Sequence, residues 1–433
     1  MIATDLRAEV STLLSELIRI DTTNPPGNET AAAQHLAAYL ERSGVRSTLV
    51  SAFEGRDNLV ARIPGRGDGP SLLLLSHTDV VLADPEEWSV PPFSGLDRDE
   101  HIWGRGALDM KGQVAAEAVA FAALAREGWQ GNGDLILCSV ADEEVGIGAG
   151  AAWIVEAHPE LVAADYVINE GGGERIEYNG RVAYTVCVGE KRCSGFEITV
   201  VGKSGHASTP SMADNALLKM APVIERLGRM TPPTRELPEL ASFLSAIGAS
   251  SEDPRALVAR ATSENSYLAA LIEPMLGALV SPTGIDASTR LNVIPGRCKL
   301  RCDCRILPGQ TPEEIRVAVA QALDGIDFEF GFLEDEGGTS SPAETPLFSA
   351  IESCIAEVEP GATAAPTVSP GFTDSHFHRT AFGSVAYGFM PLRMDPALMG
   401  ELVHSADERI GKDDLELGVR SFMHLARAIG ELE

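Results

Sequence analysis

The chain has 433 residues, with 63 acidic against 34 basic side chains, a formal net charge of -29 and a pI near 4.7. Such a field repels phosphate backbones and anionic lipid headgroups, which excludes nucleic acid and membrane surfaces as partners. A hydrophobic content of 44% excludes a disordered acidic chain, and the length implies about two or three domains.

The N-terminal stretch carries Asp5 and Glu9, and Leu6, Val10, Leu13, Leu14, Leu17 and Ile18 follow helical spacing. This reads as an amphipathic helix and not as a signal peptide. No apolar run approaches about 18 residues, so no transmembrane helix is expected. The seven cysteines are scattered, which fits reduced thiols in a cytoplasm better than a disulfide framework.

Apolar runs ending in polar residues recur at 71–76 (SLLLLS), 134–141 (DLILCSVA) and 165–169 (DYVIN), with an alanine-rich helix predicted over 110–126. Buried strands alternating with helices predict an α/β layered domain. From about 191 the pattern changes. Strands are predicted at 196–201, 299–307 and 328–332, and helices at 215–227 and 312–323. This is a β-α-β-β-α-β order with an insertion at about 230–290. Cys298, Cys302 and Cys304 alternate with charged residues and read as the buried face of a strand, since no second C-x₂-C pair exists for a zinc ribbon. The chain thus divides into 1–190, an inserted α+β domain at 191–336, and 337–433, which returns to the first domain.

In open α/β sheets, ligands bind beyond the carboxyl ends of the strands. There the sequence places His77 and Asp79, then Asp142, Glu143 and Glu144, then Glu170, while Asp109 follows a glycine-rich turn before a helix. Each alone has a dull explanation: a loop histidine, an N-cap, or a solvated helix start. Together, so many carboxylates at one sheet edge would repel strongly without positive charge between them. Carboxylates and imidazole are ligands for zinc and related ions, so a metal centre is expected, and two ions match the charge better than one.

The segments SHTDVV, W-S-V-P-P-F followed by I-W-GRGALDMKG, ADEEVG and INEG resemble the di-zinc exopeptidase and amidohydrolase family. That family includes aminoacylase-1, carboxypeptidase G, succinyl-diaminopimelate desuccinylase and acetylornithine deacetylase. The resemblance continues through GKSGHAS at 202–208, LNVIPG at 291–296 and His404. It implies a zinc-exopeptidase-like catalytic domain with a mixed central sheet, interrupted by a ferredoxin-like lid or dimerisation domain. It implies two divalent ions, zinc by family expectation, with Co²⁺ or Mn²⁺ suited to similar ligands.

By the same resemblance, His77 and Glu170 hold one ion, His404 and Glu144 the other, and Asp109 bridges both. The Asp109–Met110 bond is implied to be cis. Asp79 orients the histidine ring and Glu143 is the general base toward a metal-activated water. His206 stabilises the oxyanion from a partner subunit, which implies a homodimer through the inserted domain. Asn292 and Arg305 contact the substrate, Arg305 taking its carboxylate; read by itself, Arg305 could equally be ion-paired with Asp303. Gly371 and Thr373 lie in a loop lining the substrate site, while His376 and His378 are structural or substrate-side.

The implied activity is hydrolysis of amide or peptide bonds in small molecules or short peptides bearing a free carboxylate. The alternatives are a dedicated biosynthetic deacylase, such as a desuccinylase or acetylornithine deacetylase, and a non-catalytic binding protein on the same fold.

Overall fold

The computed structural model describes residues 5–333 and 336–433. Among these, a nine-stranded mixed sheet is built around Leu135–Val140, Leu72–His77, Tyr166–Asn169 and Val385–Gly388, which are adjacent and parallel. Ser47–Ser51 and Asp57–Ile63 extend one side by antiparallel pairing. Arg181–Glu190 and Thr363–Ser369 extend the other.

The apolar runs are continuous because both faces are covered. Leu72 and Leu74 pack under the helices Leu6–Ile18, Lys111–Glu127, Pro346–Val358 and Lys412–Gly430. Leu73 and Leu75 face the opposite layer with Ile154, Val155 and Val162. The Lys111–Glu127 helix is buried along almost its whole length, which explains its alanine content, and it stops at Gly128 in the left-handed region (φ 69°).

Glu117 lies inside this helix, fully buried. Gln113 Nε2 donates to its Oε1 at 2.9 Å. Glu117 Oε2, Ser76 Oγ and Ser139 Oγ have no hydrogen-bond partner among the described residues. Burial pushes the Glu117 carboxyl up to about 8 from an ordinary 4.5. A raised folded pKa means that this group's contribution to stability is full below about 4.5 and is lost as the pH rises through about 8. Glu117→Gln should therefore lose about 3.5 kcal/mol less stability than the wild type between pH 5 and 8, at about 1.4 kcal/mol per pKa unit. Urea midpoints at both pH values check this. Equal losses in the two proteins would refute the neutral buried acid.

The second sheet is antiparallel and comprises Phe196–Val201, Leu279–Asp286, Arg297–Ile306 and Glu329–Phe332, with short edges at Arg192–Cys193 and Glu336–Gly337. The four longer strands lie in the spatial order fourth, first, third, second, the order of a ferredoxin-like sheet. Ala216–Arg229 and Pro312–Ala322 cover one face, packing Met220, Val223, Ile315 and Val319 on Cys298, Leu300, Cys302 and Cys304. Pro312 at the first helical turn and the Thr311–Glu314 capping box fix the start of the second helix.

The predicted insertion at about 230–290 is shorter than expected, because Leu279–Asp286 belongs to this sheet. Pro282 and Gly284 hide its strand pattern and coincide with a register shift opposite Arg301–Cys302. The remaining helices, Pro238–Ala246, Pro254–Glu264 and Ser266–Ile272, pack on Ile176, Ala183, Ala365 and Val368 of the large sheet and not on the small one. Among the described residues, no helix is long and apolar enough to cross a membrane, and no disulfide joins any of the seven cysteines.

Candidate metal centre

The carboxyl ends of Leu72–His77, Leu135–Val140 and Tyr166–Asn169 meet at one edge of the large sheet. The chain leaves them at His77, Asp142 and Glu170, so the fold itself gathers these groups. His77 Nε2 lies 3.2 Å from Asp109 Oδ1 and 3.6 Å from Glu170 Oε2. His404 Nε2 lies 2.9 Å from the other Asp109 oxygen, Oδ2, and 3.4 Å from Glu144 Oε1. Asp109 thus presents one oxygen to each histidine. Ligand atoms of His77, Asp109 and Glu144, and those of His77, Glu143 and Glu170, each lie within 4.8 Å of one another.

Surrounding groups fix these side chains. Asp79 is fully buried behind His77, with its Oδ1 3.4 Å from His77 Nδ1. It accepts the backbone N–H groups of Glu143 and Glu144, each at 3.1 Å, and Asn24 Nδ2 at 2.9 Å. Burial works against its charge, but His77 and these donors win and hold its carboxyl below the usual range. Asp142 takes a left-handed backbone (φ 69°) that turns the chain sharply after the strand. Its side chain is held by Ala149 N–H at 2.9 Å, by Asn24 Nδ2 at 3.1 Å and by Arg56, itself paired with buried Glu29 at 2.6 Å.

Glu408 anchors the glycine-rich turn: it accepts Arg105 Nη1 at 2.8 Å and the N–H groups of Gly106, Leu108 and Asp109 at 3.0, 2.7 and 3.1 Å. The Asp109–Met110 bond is cis, the isomer the resemblance implies.

The charge surplus is visible in the titration behaviour. Burial opposes a proton on His77, yet Asp109, Asp79 and Glu170 raise its pKa well above the ordinary value. Asp109, hydrogen-bonded to its ring, and the neighbouring Glu144 carboxylate raise His404 to about 10. Burial first, then Glu170, raises the Glu143 carboxyl well above the ordinary range, against the opposing charge of His77. Asp374, also buried in this cluster, is pushed up to about 8.

The residues present fit divalent cations. Two imidazoles and three carboxylates are a nitrogen and oxygen donor set for zinc-like ions. Among the described residues, buried Glu144 Oε1 has His404 Nε2 at 3.4 Å but no hydrogen bond, an acceptor left for such a partner.

A cavity of about 900 Å³ opens beside the cluster, lined by Glu143, Glu144, Arg192, Arg305, Phe372 and Asp374 among others. Arg305 reaches it while paired with Asp303 at 2.9 Å and bonded to Cys193 Sγ. Gly371 and Thr373 are absent from its lining among the described residues. The Gly371 N–H bonds Ser369 Oγ at 3.1 Å, and Thr373 is buried at the foot of the next helix; the ring between them, Phe372, faces the cavity instead. His376 lines the cavity, while His378 is buried with both ring nitrogens unpaired among the described residues.

His206 and Asn292 are likewise absent from the lining. Both are exposed, on a two-stranded ribbon where His206 pairs with Val293 and the Ala207 N–H bonds Asn292 O at 3.0 Å. The structure therefore brings His77, Asp79, Asp109, Glu143, Glu144, Glu170 and His404 together, and leaves His206 and Asn292 outside the cavity of a single chain. Sequence reasoning missed Asn24, Arg56 and Glu29, whose roles appear only once distant segments meet.

The profile of peptidase family M20/M25/M40 matches residues 73–428. Aminoacylase-1 of Sus scrofa is 27% identical over 431 residues, spanning 97% of this chain and 95% of that protein. Succinyl-diaminopimelate desuccinylase of Hydrogenovibrio crunogenus is 25% identical over 429 residues, spanning 94% and 96%. An M20 family metallo-carboxypeptidase of Sulfolobus solfataricus, Sso-CP2, shares the fold with a TM-score of 0.73 over 98% of this chain and 99% of that one, at 21% identity. With the profile covering most of its length, the chain belongs to peptidase family M20/M25/M40.

Proposed function

We propose that this chain hydrolyses amide bonds in N-acyl amino acids or short peptides that carry a free carboxylate, using two divalent ions, zinc in the first instance. The observation that carries the reading is Asp109, whose two oxygens face different histidines with Glu143 beside them. Its relatives act as their names state, on acyl amino acids and succinyl-diaminopimelate. A full donor set with a base argues against a non-catalytic scaffold.

His77 and Glu170 would hold one ion, His404 and Glu144 the other, with Asp109 between them. Bound there, the ions would polarise the scissile carbonyl and make a water acidic enough to attack at neutral pH. Glu143 accepts a proton from the attacking water and delivers it to the leaving nitrogen as the C–N bond breaks. Its raised affinity for protons suits that task. Asp79 keeps the His77 ring oriented, and Glu408 keeps the Asp109 loop in place.

Arg305 takes the substrate carboxylate as a planar fork. His206 and Asn292, exposed in one chain, act on the cavity of a second copy. Leu217, Leu218 and Ile224 of the Ala216–Arg229 helix, with Val201, expose apolar surface on the small sheet that suits such a homodimer. Cysteines outside disulfides suit a reducing, cytoplasmic setting.

A substrate panel tests the reading. Purified protein loaded with Zn²⁺ or Co²⁺ receives dipeptides and N-acetyl and N-succinyl amino acids, each with a free or amidated C-terminus. Amidation should lower kcat/KM at least tenfold, and Arg305→Ala should erase that difference, chiefly through KM. Equal turnover of free and amidated substrates would remove the carboxylate clamp.

A further inference from the structure

We infer that the cavity selects substrates in which the residue bearing the free carboxylate has an aromatic or large aliphatic side chain, with Phe372 as the contact that sets this preference. The inference rests on the amide-hydrolase reading above and names the substrate class of that site.

Three rings, Phe372, His376 and Phe377, line the cavity and touch one another, with centroids 5.5, 5.4 and 5.5 Å apart in tilted and edge-on arrangements. Each is only half-buried, so ring surface remains open to an occupant. Burial holds the His376 imidazole below its ordinary pKa, against the pull of Glu190, so this ring is neutral as well. Val145, 45% exposed, adds an aliphatic edge to the same cavity. None of these four side chains has a part in the proton transfers at Glu143.

Their placement relative to Arg305 decides which part of the substrate they meet. The Phe372 ring lies against Gly337, where an added Cβ would fall 3.0 Å from its Cδ2. Gly337 pairs with Arg192, and the next residue, Cys193, pairs with Arg305. The Gly337 and Arg305 backbones are thus two strand spacings apart, about 10 Å, and Phe372, Arg192 and Arg305 all line the one cavity. A substrate residue whose carboxylate sits on Arg305 then has its side chain in the cavity that the rings line. Apolar burial and edge-to-face packing then favour a large side chain there.

The test compares kcat/KM for N-acetyl-phenylalanine, N-acetyl-leucine, N-acetyl-alanine and N-acetyl-aspartate on the metal-loaded wild type. Phenylalanine and leucine should exceed alanine by at least tenfold. Phe372→Ala should cut the phenylalanine-to-alanine ratio at least fivefold, mainly through KM, and Phe372→Leu should restore most of it. Val145→Ser, at an exposed position, should move the ratio in the same direction by a smaller factor, and it carries the test should Phe372→Ala fail to fold. A flat wild-type ratio, or one unchanged in both Phe372→Ala and Val145→Ser, overturns the inference while leaving the amide-hydrolase reading standing. A preference for aspartate overturns it too, in favour of Arg192 as a second anion site. Absence of hydrolysis across this series and the dipeptides overturns both.

Discussion

Glu143→Gln should lower kcat by about 10³-fold while leaving metal content and melting temperature close to wild type. Glutamine keeps the volume and the backbone N–H to Asp79, which the structure uses to fix this turn at 3.1 Å. What it loses is the ability to take a proton. Burial and Glu170 make the carboxyl proton-hungry, so the lost step is the one this side chain is built for. The prediction separates base from ligand: a ligand's loss would reduce metal content, whereas the loss of a base would not. Steady-state kinetics and metal analysis on the same preparation check it, and activity within tenfold of wild type would displace Glu143 from the role.

Asp109→Asn should have the larger effect on the site as a whole. The substitution is nearly isosteric, and Glu408 still holds the loop through the N–H groups of Leu108 and Asp109. Removing the charge, however, takes from both histidines the carboxylate they share. Both ions should bind more weakly, and kcat/KM should fall by at least about 10³-fold, since carbonyl polarisation and water activation go together. Added metal at high concentration should restore only part of it. A variant that retained one tightly bound ion would show that Asp109 serves a single metal.

Much of this site was legible because its chemistry sits where periodicity changes. The leucine run at 72–75 is buried on both faces, so the first polar residues after it, Ser76 and His77, mark the strand end without any structure. The same holds for the run ending at Val140 and for the strand ending at Asn169. The small sheet was legible through the cysteine alternation at 298–304 and the Pro312 helix start. Leu279–Asp286 was not, because Pro282 and Gly284 carry loop signals inside a strand whose ladder tolerates a register shift.

Second-layer groups were the other blind spot. Nothing local marks Asn24, Arg56 and Glu29 as supports for Asp142, since their spacing in sequence carries no period and their convergence is purely tertiary. Nothing local marks Glu408, four residues after His404, and its clamp on the Gly106–Asp109 backbone appears only when the two loops meet. His206 and Asn292 are a related case: the resemblance implies a role for them at the site, while the fold of one chain leaves them exposed on a ribbon outside the cavity.

We propose a pair of divalent ions shared by Asp109 and required for amide hydrolysis. Its most direct test is elemental analysis of the purified wild type alongside Asp109→Asn, with N-acetyl amino acid hydrolysis followed as chelator strips the metal and Zn²⁺ is titrated back. About two ions per wild-type chain are expected, fewer in the variant, with activity lost with the metal and regained as the second equivalent binds. Full activity in metal-stripped protein, or saturation of both binding and rate at a single ion, would contradict it.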